Sequence, residues 1–112
     1  MTGGTISGNI ANNGGGVFVD GGTFTMRGGV ITNNIASNAG GGVQVASGTF
    51  NKTGGIITGF NSDPNDGNVV RDYAGIIARS GHAVFVNSDR RKESTAGSGL
   101  NLSNGSSAGW DN

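Results

Sequence analysis

The chain has 112 residues, of which 24 are Gly, one is Pro and none is Cys, which excludes helices, disulfides and thiolate metal centres as its organising features. Seven basic and seven acidic residues cancel, leaving no field to draw the chain onto nucleic acid or an anionic membrane. No stretch approaches the roughly 20 apolar residues of a spanning helix, and the residues after Met1 carry no basic, apolar or cleavage region of a signal peptide.

The first segment, Gly3-Gly4-Thr5-Ile6-Ser7-Gly8-Asn9-Ile10-Ala11, returns 25 residues later as Gly28-Gly29-Val30-Ile31-Thr32-Asn33-Asn34-Ile35-Ala36. It returns again, shortened, 26 residues on as Gly54-Gly55-Ile56-Ile57-Thr58-Gly59. Between these copies, Gly14-Gly15-Gly16-Val17-Phe18-Val19 is answered by Gly40-Gly41-Gly42-Val43-Gln44-Val45, and Gly22-Thr23-Phe24 by Gly48-Thr49-Phe50. A period of this length predicts a solenoid, because a single unit cannot bury its own apolar side and must stack on its neighbours.

Thr5-Ile6-Ser7, Val17-Phe18-Val19 and Thr23-Phe24-Thr25-Met26 alternate apolar with polar or small residues and read as short strands. Three per unit, separated by Gly corners, predict a three-sided β-solenoid of about three coils in an all-β domain. Stacking then places Ile6, Ile31 and Ile57 in one inward column. Val17, Val43 and Val84 stand beside Val19, Val45 and Val86 in a second, and Phe24 over Phe50 in a third. Ser7, Thr32 and Thr58, and Thr23 with Thr49, are expected to face out. Asn9 over Asn34 suits an amide ladder. Met26 falls opposite Lys52, which reads as the edge of the core.

The period fails after Gly59. About fifteen residues are added between Phe60 and Ser80, including the turn cluster Asp63-Pro64-Asn65-Asp66-Gly67-Asn68 and the run Val69-Val70-Arg71-Asp72-Tyr73-Ala74. The expected division of the single domain is regular repeats over 1–59, an inserted protruding loop over 60–80, and a last strand with a C-terminal cap over 81–112. Leu100, Leu102 and Trp110 are expected in the cap, and deleting 62–79 is expected to leave the domain folded. No cap precedes the first coil. The chain therefore reads as the C-terminal piece of a longer solenoid, with edge-to-edge self-association through that coil as the other possibility.

Gly-Gly-x-Ile at 3–6, 28–31 and 54–57, with the segments 81–86, 94–97 and 108–110, resembles the β-helix repeat proteins of bacterial surfaces. The likeness is to the spirochaete-type Gly-Gly-x-Ile repeat proteins and, more distantly, to the polymorphic outer-membrane and autotransporter passenger repeats. The resemblance implies a right-handed parallel β-helix at the bacterial cell surface or secreted, used for adhesion or display. Host or matrix proteins and glycans are its expected partners. It carries over no catalytic residue.

The candidate chemistry is sparse. Among the carboxylates, only Asp66 with Asp72 and Arg71 approaches the pair a polysaccharide-active enzyme needs, and all three lie in the inserted segment, where solvated loop residues are the plainer reading. Asp63 to Asn68 lacks the alternating ligands and terminal Glu of a calcium loop and reads as an Asx turn. His82, without a carboxylate or thiol partner in sequence, reads as a corner residue. No cofactor or metal ligand is assigned. Threonines on the outward columns raise ice binding, but Thr25 gives way to Asn51 and Thr5 to Val30 and Ile56, so no wall carries two regular ranks. The remaining candidates are partner contacts: Phe18, Gln44 and Phe85 in one outward column, Asp66, Arg71, Asp72 and Tyr73 in the insertion, and Arg90 and Arg91 in a short basic run. A non-enzymatic structural or adhesive module is therefore expected, with an enzyme fragment or an ice-binding or self-assembling solenoid as alternatives.

Overall fold

The computed structural model describes residues 1–60, 63–78 and 81–86. Its strands are β1 (Thr5–Ser7), β2 (Ile10–Asn13), β3 (Val17–Thr32), β4 (Ile35–Ala39), β5 (Val43–Ile57), β6 (Val69–Val70) and β7 (Val84–Val86). They form two parallel sheets, a long one in the order β1-β3-β5-β7 and a short one in the order β2-β4-β6. Each strand pairs with the strand one repeat away, so like residues stack. Ile6 pairs with Ile31 and Ile31 with Ile57; Val17 pairs with Val43 and Val43 with Val84; Val19 pairs with Val45 and Val45 with Val86. Phe24 lies over Phe50 with ring centroids 5.3 Å apart.

The partition within a repeat differs from the expected three short strands. Val17-Val19, Thr23-Met26 and Val30-Thr32 are one continuous strand, β3, which bends where its register against β5 shifts, around Asp20 and around Arg27. Gly-Gly pairs mark these bends. They curl the long sheet into a half barrel without ending the strand. The second element of each repeat, β2 or β4, follows the Gly-Gly-x-Ile segment and was not anticipated.

The Gly-Gly pair has a specific cause. Gly29 and Gly55 both adopt positive φ, at 92° and 81°. A Cβ there would also lie 2.6 Å from the methyl of Met1 or Met26, which packs across it. That contact shows Met1, Met26 and Lys52 to be one inward column, since Arg27 N donates to Met1 O at 2.8 Å and Met26 pairs with Lys52. The expectation that this position marks the edge of the core is therefore corrected: Met26 and Lys52 are both buried. The Lys52 ammonium donates to Gly55 O at 2.7 Å, and burial lowers its pKa from 10.5 to about 8.

The core comprises Val19, Met26, Ile31, Val43, Val45, Phe50, Ile57, Ala83, Val84 and Val86, with Met1, Ile6, Val17 and Phe24 packed against it. Beside it runs an asparagine ladder one rung longer than expected. Asn9 Nδ2 donates to Asn34 Oδ1 at 2.9 Å and Asn34 Nδ2 to Asn68 Oδ1 at 2.8 Å, while Asn68 Nδ2 reaches Ile31 O at 2.8 Å. Asn34 and Asn68 are fully buried.

Within the segment expected as a protruding loop, Asn68 to Val70 do not protrude: Asn68 joins the ladder, and Val69 and Val70 form β6, pair with Ile35 and Ala36 and are buried. Leu100, Leu102, Trp110, Arg90 and Arg91 lie outside the described residues.

Candidate functional site

The outward column of the short sheet is Ile10, Ile35 and Val69, one residue from each repeat. Its exposure falls from 77 % at Ile10 to 8 % at Val69, the member beside which the chain turns back after β6. Arg71 forms an antiparallel bridge with Ile77, and Ala78 N donates to Val70 O at 2.9 Å. Asp72 builds the turn between them. Its Oδ1 accepts from the N–H groups of Ala74 and Ile76, both at 2.9 Å, and Gly75 N donates to Asp72 O.

His82 locks this return from below. Its Nδ1 accepts from Val70 N at 2.9 Å, which places the ring proton on Nε2, and Nε2 in turn donates to Ala78 O at 3.0 Å. The imidazole is fully buried and lies 5.5 Å from the Phe60 ring. The corner histidine thus joins the edge strand β6 to the turn that covers it.

Between the turn and the exposed part of the sheet lies a groove of about 570 Å³, lined by Ile10, Ala11, Asn12, Ile35, Ser37, Arg71, Asp72, Tyr73 and Gly75. Its floor is apolar and its rim is polar. Asn12 Oδ1 accepts from Ser37 Oγ at 3.0 Å and from the Tyr73 hydroxyl. That second bond tethers the tip of a ring that is 88 % exposed, so Tyr73 stands across the groove with its faces open.

The expected site residues fall in three places. Arg71, Asp72 and Tyr73 line the groove. Asp66 belongs to a separate turn, in which Asp63 Oδ1 accepts from the N–H groups of Asn65 and Asp66. There Asp66 acts through its carbonyl, which accepts from Asn33 N at 2.7 Å and from the Thr32 hydroxyl. Phe18, Gln44 and Phe85 form a column on the outer face of the long sheet.

The chain matches no family model, no curated protein and no solved structure. What it does is therefore argued from this geometry. Sequence reading missed Ile10, Asn12, Ile35 and Ser37 as groove residues. The signal was present, since Ile10-Ala11-Asn12-Asn13 and Ile35-Ala36-Ser37-Asn38 recur at the repeat spacing and alternate.

Proposed function

We propose that this chain is a right-handed, three-sided parallel β-helix of about three coils with a C-terminal cap, serving as a non-enzymatic adhesive module of a bacterial surface. In this reading it is related to the Gly-Gly-x-Ile surface repeat proteins, and it engages a matrix protein or glycan. The observation that carries the proposal is the groove: a stacked Ile10-Ile35 floor, a polar Asn12-Ser37 rim and a tethered, exposed Tyr73. Its polar groups suit recognition better than hydrolysis. The Asp72 carboxylate accepts from two backbone N–H groups and holds a turn, and Asp66 sits in a different turn.

The test is binding of the chain to immobilised extracellular-matrix proteins and glycans at physiological salt, beside Tyr73→Ala and Ile10→Asp. Both positions are exposed, so both variants are expected to fold. Saturable binding of at least one ligand that weakens roughly tenfold or more in each variant is the expected result. A folded chain that binds nothing, or none of whose ligands is weakened by the two substitutions, overturns the proposal.

A further inference from the structure

We propose that the outer face of the long sheet holds a second binding site, for a neutral saccharide chain laid across Phe18, Gln44 and Phe85. This column stands on a different sheet from the groove. Phe18 pairs with Gln44 and Gln44 with Phe85, so the three side chains lie side by side on successive strands. At about 4.8 Å per strand the two rings are roughly 10 Å apart, with the amide between them. The rings are 48 % and 39 % exposed, whereas Gln44 between them is only 8 % exposed. The Phe85 side chain packs beside Gly81, where a Cβ would come within 3.2 Å of its ring.

Gln44 supplies the observation that points to a ligand. Its Oε1 is buried and accepts no hydrogen bond, the one side-chain polar atom among the described residues in that state. A buried acceptor without a donor is costly, and it is relieved by any partner that brings an O–H or N–H group. In the proposed site the Gln44 amide turns so that Oε1 meets the surface between the rings. A sugar chain meets this arrangement at both levels. The C–H face of a pyranose packs against the electron-rich face of each Phe ring, and the hydroxyls of the intervening sugar donate to the amide.

Charge and polarity choose among ligands. Next along β3 stands Asp20, whose carboxylate accepts from Ser47 Oγ at 3.0 Å, so an anionic saccharide or acidic peptide meets repulsion here. An apolar peptide side chain laid over Gln44 would seal its carbonyl without a donor.

The test is titration of the chain, followed by calorimetry and by amide chemical shifts, with soluble neutral hexasaccharides of β-linked glucose, galactose and N-acetylglucosamine. At least one is expected to bind saturably, with affinity reduced roughly tenfold by Phe18→Ala and by Phe85→Ala and unchanged by Tyr73→Ala. Gln44→Leu separates recognition from packing. It removes the orphaned carbonyl, so it is expected to melt at or above the parent temperature while binding the saccharide more weakly. The proposal is overturned if none of the hexasaccharides binds, if binding survives Phe18→Ala unchanged, or if these residues bind protein ligands and no saccharide. Because Tyr73→Ala disables only the groove, failure of one site is distinguishable from failure of the other.

Discussion

Asn34 takes part in more of the interior hydrogen bonding than its small side chain suggests. Its Oδ1 accepts from both the N–H and the Nδ2 of Asn9, and its Nδ2 reaches Ile6 O at 3.0 Å, Thr32 O at 2.9 Å and Asn68 Oδ1. Asn34→Ala strands these groups in a buried setting and is expected to cost about 2–4 kcal/mol in urea unfolding. A loss under about 1 kcal/mol would show that the ladder is dispensable. Lys52 offers the opposite case, a buried group that burdens the fold. Its folded pKa of about 8 lies below the ordinary 10.5, so between these values the unfolded chain binds more protons than the folded one. Stability should therefore rise with pH across that window, by at most about 3 kcal/mol, and level off beyond it. Lys52→Met repeats the residue that Met26 supplies one rung earlier. It is expected to raise the melting temperature at pH 7 and to flatten this rise.

At the scale of elements, legibility in the sequence followed repetition. The Ile, Val and Phe columns were legible because parallel strands in register stack like on like, so a repeat written in the sequence is a contact in space. Asn9 over Asn34 was legible for the same reason. Asn68 was not, because an irregular stretch separates it from its equivalents and its neighbours Asp63, Pro64, Asn65 and Gly67 all spell turn. β6 has two residues, too few to show alternation, and it is a strand only because β4 is there to pair with it. The Met26-Lys52 column was misread because charge in a side chain was taken as exposure, whereas the long aliphatic stem of lysine fills the space methionine fills. The groove needed two elements from opposite ends of the chain, Ile10-Asn12 and Arg71-Gly75, and no local pattern brings them together. Two shortenings separate turn from strand. Deleting 62–79 removes Asn68, Val69 and Val70 and is expected to abolish the cooperative melt. Replacing Asp72-Tyr73-Ala74-Gly75 by Asn-Gly is expected to keep it while emptying the groove wall. Circular dichroism melts of both distinguish a structural segment from an appended loop.

At the scale of the whole molecule, the two sheets divide the labour. The long sheet holds the apolar core through columns that span β1-β3-β5, β3-β5 or β3-β5-β7, each buried member contributing about 1.5–3 kcal/mol. The short sheet has little interior of its own, with Ala11, Ala36 and Val70 facing in, and depends on the asparagine ladder and on the His82 lock. The two proposed recognition surfaces follow this division: the groove lies over the short sheet, beside the turn after β6, and the Phe18-Gln44-Phe85 column lies on the outer face of the long one. A ligand at either place leaves the stacked interior untouched, so variants that abolish binding need not affect folding.

The glycine triplets set a direction on the molecule. A Cβ at Gly41 would meet His82 O at 2.5 Å and one at Gly42 would meet Ala83 O at 2.5 Å, so close stacking of the next rung requires glycine at both positions. Gly14-Gly15-Gly16 and Gly40-Gly41-Gly42 meet that requirement and Gly81-His82-Ala83 does not. A further rung stacked equally closely behind Val86 would bring its carbonyls against the Cβ atoms of His82 and Ala83, whereas a copy of 14–39 placed ahead of Gly14 carries its own glycines to meet the carbonyls there. Lengthening by tandem duplication is therefore expected to be tolerated on the side of the glycine triplets.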